Sequence, residues 1–231
     1  MREHSEAIKP PRTLWVSFPL GRPLGAPHQP EFQRRVLESA LRLLERAEGP
    51  VLEDFPDDEP SGSDEDGPWA CPLPLAAAGE PAPEDEALRQ QLQAEVSRLR
   101  PWYDEAVEKH GRTAVGVTGL DVDSMPELAG VLTAAALDEP LEAPSGAETP
   151  LPGLLRFAAD DLKAYYMEAA AAQPAATPAS VDDMDRWLFG QTRLGETLYR
   201  ARDTLMAKEE DPLKMVGRFM IPAAYWKRPT N

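Results

Sequence analysis

The sequence predicts a mixed, helix-dominated fold: an α/β lobe at the N-terminus followed by a mainly α-helical region. Three observations predict it. A compact β-prone run at Leu14–Phe18 breaks into prolines and glycines and then becomes a long amphipathic helix. An acidic, proline-rich stretch follows, from Glu53 to Pro83. From Glu84 onward the apolar residues keep helical spacing almost to the end of the chain.

Residues Leu14, Trp15, Val16 and Phe18 are bulky and β-prone, which predicts a buried strand that Pro19 ends. Between Pro30 and Glu48, Phe32, Val36, Leu37, Ala40, Leu41 and Leu44 recur at helical spacing, and Gly49 with Pro50 reads as the stop. Val51–Phe55 reads as one further short strand. These elements form a lobe over residues 1–52. The segment EDFPDDEPSGSDEDG, Glu53 to Gly67, carries many carboxylates and no base, so 53–83 reads as a solvated linker with one apolar island, Trp69–Leu75.

Residues 84–231 read as the helical domain. Leu88, Leu92, Val96, Leu99, Tyr103 and Ala106 line one helix face, with Pro101 either kinking the helix or opening a second one, and Gly111 closes it. TAVGVTG, Thr113–Gly119, reads as a strand or a tight glycine-bearing turn. Ser124 and Glu127 form a capping-box pattern for a helix to Leu137. Further helices are expected over Leu154–Ala172, over Val181–Ala207 capped by Ser180 and Asp183, and from Asp211-Pro212 through Met220.

The formal net charge of −16 on 231 residues argues against a nucleic-acid partner and an anionic membrane surface, since phosphate contacts need clustered Lys and Arg. The run Leu14–Leu20 is far shorter than the ~20 residues of a spanning helix, and Met1–Pro11 is charged rather than signal-like. The lone Cys71 excludes an intrachain disulfide. A cytoplasmic protein is expected.

Four places could carry chemistry. In PLGRPLG, Gly21 and Gly25 let backbone approach a ligand and Arg22 could clamp a carboxylate or phosphate; the plainer reading is a Pro/Gly turn with a solvated arginine. The spacing matches neither nucleotide-binding glycine motif. Cys71 follows an acidic run that would raise a thiol pKa, which favours a packed small hydrophobe over a nucleophile. His4, His28 and His110 are too scattered for a zinc site, and SGSDEDG has Gly62 where a calcium loop needs its first aspartate, so no metal is expected. Asp161, Tyr165 and Glu168 share a helix face and could form an acid/base or metal site, or a buried hydrogen-bond network, whereas Trp187, Phe189 and Tyr199 read as core.

The strand with FPLGRPLG and the following QRRVLESALRLLE resembles the carboxyl-proximal part of the selenoprotein B subunits of glycine, sarcosine and betaine reductases and of D-proline reductase. REHSEAIKPPRTLW looks like the segment that leads into that strand. WACPLP, RPWYDEAVEKHGRTAVGVTGLD and DDLKAYYMEA are similar to a branch of the same family, which extends the likeness over most of the chain. The resemblance implies a subunit of a complex that reductively cleaves a C–N bond of an amino acid or betaine-type substrate. It implies no cofactor in this chain, a pyruvoyl group on a partner subunit that binds the amine, and a selenol or thiol that attacks the activated carbon. The family's redox motif, a selenocysteine or cysteine two residues from another cysteine, lies upstream of the matching segment and has no counterpart here. Cys71 is downstream and solitary. A start site assigned after an in-frame selenocysteine codon is the expectation that reconciles the two, and sequencing upstream of Met1 decides it. The rival class is a non-catalytic acidic interaction protein whose helices dock on a basic partner.

Overall fold

The computed structural model describes residues 2–18, 21–26, 29–58, 84–174, 181–208, 212–222 and 225. Most of the acidic linker, Cys71 and the Trp69–Leu75 island lie outside the described residues, as do the expected caps Ser180 and Asp211. The chain divides into two compact units, Met1–Glu65 and Asp66–Asn231. Strands are found in the first and the long helices in the second, a helix-dominated mixed α/β protein.

The first unit opens with a helix the sequence reading passed over, α1 (Arg2–Ile8), held by Arg2, which pairs with Glu6 and, at 2.9 Å, with Asp54. Strand β1 (Arg12–Trp15) leads through the proline–glycine bend to α2 (Pro30–Arg42) and a 3₁₀ turn at Leu43–Glu45, and β2 (Val51–Asp54) returns parallel to β1 with Arg12 opposite Val51 and Trp15 opposite Asp54. The result is one βαβ unit. Its core is an aromatic triad, Phe18, Phe32 and Phe55, with ring centroids 5.4 to 6.0 Å apart, closed by Val36. β1 ends sooner than expected because Phe18 leaves the ladder to join that triad.

The helix α2 stops without the expected glycine cap. Arg12 reaches back instead, its Nε donating to the Leu43 carbonyl at 2.8 Å and its Nη2 to that of Arg46 at 2.5 Å, so the strand supplies the donors that the helix end lacks. Gly49 has a different task. A Cβ there would lie 2.6 Å from the Pro11 carbonyl oxygen, which the amide of Val51 must approach to 3.1 Å to start the ladder.

The second unit is a helical bundle. α3 (Glu84–His110) runs unbroken through Pro101 and packs on α5 (Leu151–Ala172); α4 (Met125–Ala136) packs on α7 (Arg193–Ala207), and α7 on α8 (Pro212–Phe219). α4 is buried nearly all round, as a central helix should be. Ser124 makes no side-chain cap; the turn before α4 is capped by Asp121, whose carboxylate accepts from the Asp123 amide at 3.0 Å. The single helix expected over Val181–Ala207 is two, α6 (Val181–Gln191) and α7, broken at Thr192. The Thr192 hydroxyl donates to the Leu188 carbonyl at 2.6 Å and accepts from the Gly195 amide at 3.0 Å, which ends one helix and caps the next. Among the described residues no helix is long and apolar enough to cross a membrane.

Candidate functional site

The bend after Phe18 has its shape from glycine. Gly21 and Gly25 have φ of 92° and 85°, and the Gly25 amide donates to the Arg22 carbonyl at 3.0 Å. A Cβ on Gly25 would meet Phe32 Cε1 at 2.6 Å, so this glycine lays the bend on the aromatic triad. Gln33 fastens the far side, donating to the Ala26 carbonyl at 2.7 Å. Gly21 and Arg22 stand on the outer surface of the bend. An open, shallow depression of this unit lies elsewhere, along Arg46–Glu48 and Pro50–Glu53.

On α5, Asp161, Tyr165 and Glu168 do come together on one face, and their hydrogen-bonding capacity is committed. Asp161 is fully buried. Its Oδ1 accepts from the amides of Gly116 and Val117 at 2.8 and 2.9 Å, and its Oδ2 from the amide and hydroxyl of Thr118 at 3.0 and 2.6 Å. Two turns on, Glu168 accepts from the Ala114 amide and the Thr113 hydroxyl, both at 2.7 Å, and Tyr103 donates to that hydroxyl at 3.0 Å. Tyr165 donates to the Val96 carbonyl at 2.7 Å, and its burial pushes the phenol pKa up. TAVGVTG is therefore a turn rather than a strand, closed by the Gly119 amide on the Gly116 carbonyl at 3.0 Å, with φ of 121° and 78° at those glycines. Two carboxylates of one helix clasp it. Gly116, Val117 and Thr118 thus turn three consecutive amides onto one carboxylate, the concave arrangement of a backbone nest.

Among the described residues no group of three or more His, Cys, Asp or Glu side chains is placed to hold a metal ion. Trp187, Phe189 and Tyr199 are core, Phe189 lying near Tyr199 and Tyr225.

The sequence reading missed Glu95. It lies on α3 three residues after Leu92 and four before Leu99, on the buried stripe, and is 2% exposed. Its carboxylate accepts from the Arg193 amide at 2.8 and 3.0 Å, from the Leu194 amide at 3.4 Å and from the Tyr166 hydroxyl at 3.1 Å, so it sits at the N-terminus of α7. Burial pushes its pKa up to about 7 against the opposing pull of those donors. A glutamate inside an apolar 3-4 spacing was the available signal. Lys163, also largely buried, has its pKa lowered by desolvation while it holds Asp160 at 2.9 Å and the Met220 carbonyl at 3.3 Å. The chain matches no protein-family model, no curated protein and no solved structure.

Proposed function

We propose that this chain is a cytoplasmic component of a reductase complex of the selenoprotein B kind, in which its α/β unit stands on the substrate side and its helical unit binds partner subunits. The observation that carries the reading is the βαβ unit itself. Parallel strands are ordinarily buried within larger sheets, whereas among the described residues this sheet has two strands, each with one edge outside the β1–β2 ladder. Such a unit is completed by another strand. The resemblance through LWVSFPLGRPLG and QRRVLESALRLLE supplies the kind of complex.

In that complex Arg22, on the outer surface of the glycine bend, grips the carboxylate of a substrate whose amine is held by the pyruvoyl group of the partner. The C–N bond breaks as a thiolate or selenolate attacks the carbon, the amine leaves, and a second thiol returns the attacking group as a disulfide or selenosulfide while the carbon takes up a proton. Asp161 and Glu168 have structural work, which supports placing the nucleophile on the assembled complex rather than on α5.

The test mixes the full chain with a pyruvoyl-containing subunit and a redox-motif subunit of a glycine- or D-proline-type reductase. Sedimentation reads assembly, and dithiol-dependent amine release reads turnover. Assembly with turnover whose KM rises tenfold or more in Arg22→Ala supports the reading. Assembly without turnover favours the non-catalytic acidic scaffold, and no assembly overturns both.

A further inference from the structure

The helix α8 is apolar on both sides. It lies on α7 through Val216 and Gly217, which are buried, and a Cβ on Gly217 would meet Leu205 Cβ at 3.2 Å and Met206 Cγ at 3.3 Å, so the two helices are in close contact. A surface helix ordinarily turns polar residues outward. Here the outward ridge is Pro212, Met215 and Phe219, at spacings of 3 and 4, and Met215 and Phe219 are 55% and 58% exposed. Lys214 and Arg218, four residues apart, border that ridge along one flank. Both cations are unspent. Among the described residues Lys214 and Arg218 hold no carboxylate, whereas Arg89, Arg100, Arg156, Arg193 and Lys208 of the same unit each do. In a chain with 40 Asp and Glu against 24 Lys and Arg, two adjacent cations without an acid stand out from the rest of the surface.

We infer that this face of α8 is a docking site for an acidic segment of another protein: a short stretch with Asp or Glu to meet Lys214 and Arg218, and an aromatic or leucine side chain to cover Met215 and Phe219. Charge complementarity selects that occupant. A second copy presenting its own α8 would set the same two cations against each other. An anionic membrane would also attract them, but it would repel a chain of net charge −16, and two apolar side chains on an eight-residue helix are little to anchor it. A peptide engages the patch alone. Met215 suits such a contact because an unbranched, polarisable side chain adapts to the shape of its partner. The inference rests on α8 and holds whether or not the partner is a reductase subunit.

The test offers the immobilised full chain a phage-displayed library of short random peptides, with counter-selection on the M215S/F219S variant. Selected peptides should be rich in Asp and Glu and carry an aromatic residue or leucine. A fluorescein-labelled copy of the most enriched peptide should bind in the micromolar range by anisotropy, with an affinity that falls as salt rises from about 50 to about 500 mM. K214E/R218E should weaken binding by about tenfold or more, and replacing the peptide's acids with lysine should restore binding to that variant. M215S/F219S should weaken it as much with the helical circular dichroism spectrum unchanged. No peptide enriched over the counter-selection, an enriched set without acidic residues, or binding indifferent to K214E/R218E would each overturn the proposal. Cosedimentation with phosphatidylserine vesicles in place of peptide binding would overturn it too and give the face to a membrane, as a wild-type dimer dissolved by M215S/F219S would give it to a second copy.

Discussion

At the level of single residues, carboxylates organise the second unit, and burial gives two of them unlike surroundings. Asp161 is met by three amides and a hydroxyl, and its role was half legible: the spacing 161, 165, 168 placed the group on one face. What it faces was not, because Gly116–Thr118 lie more than forty residues upstream and only the tertiary fold brings them to α5. Glu95 has fewer donors, and burial raises its pKa to about 7 from an ordinary glutamate value of 4.5. A carboxyl whose folded pKa is raised binds its proton more tightly when folded, so its contribution to stability is full below pH 4.5 and lost as pH climbs through 7. Between pH 5.5 and 8.5 that loss is about 2 kcal/mol. Glu95→Gln stays neutral throughout. Denaturant unfolding at both pH values should therefore show wild type losing about 2 kcal/mol relative to the glutamine variant as pH rises; parallel pH profiles would show that Glu95 is not the titrating group.

Among the elements, those built on local pattern were legible and those decided by a distant partner were not. α2, α3, α5 and both strands follow from periodicity and β-propensity, with ends shifted by a few residues. The break between α6 and α7 was hidden because Val181–Ala207 is continuous in helical propensity, and a lone threonine gives no warning. What makes the break pay its way is tertiary: Glu95 receives the first amides of α7, and Gly195 lets its first turn sit against the end of α6. A Cβ on Gly195 would lie 2.2 Å from the Leu188 carbonyl oxygen and 2.9 Å from Phe189 Cα, both backbone atoms with little room to retreat. Gly195→Ala should then destabilise the chain by roughly 1–3 kcal/mol, although alanine is the better helix former. Gly130 in α4 is the control, since a Cβ there meets nothing within 4 Å. Gly130→Ala should raise stability by up to about 1 kcal/mol. Thermal melts of the two variants check the pair of opposite signs, and equal shifts would mean that the elbow yields.

Over the whole molecule the two units have cores of very different size, and this difference is itself a prediction. The division into an α/β piece and a helical piece was readable from composition, because an acidic stretch without bases separates two runs of apolar periodicity. The thinness of the first core was not, since it depends on how few strands pair. That core is three phenylalanines and Val36 beside a two-stranded sheet, with Leu14 and Val16 partly buried against them. The second draws on six helices, with Leu132, Leu154, Tyr166 and Leu198 entirely out of solvent. A two-stranded sheet is marginal alone, and small units bury a smaller share of their surface. Calorimetry of the full chain should accordingly resolve a minor transition at lower temperature and a major one above it, with enthalpies in keeping with roughly 0.7 kcal/mol per residue in each unit. Phe32→Ala removes a member of the aromatic triad and costs about 3–5 kcal/mol, enough to abolish the minor transition while leaving the major one in place. Leu132→Ala does the reverse, lowering the major transition by the 2–5 kcal/mol of a large-to-small core change and sparing the minor one. Both variants moving a single shared transition would mean that the chain unfolds as one cooperative body, and the assignment of separate cores would then fail. A partner strand added to the sheet edge should raise the minor transition alone, because among the described residues the strands lie in the first unit.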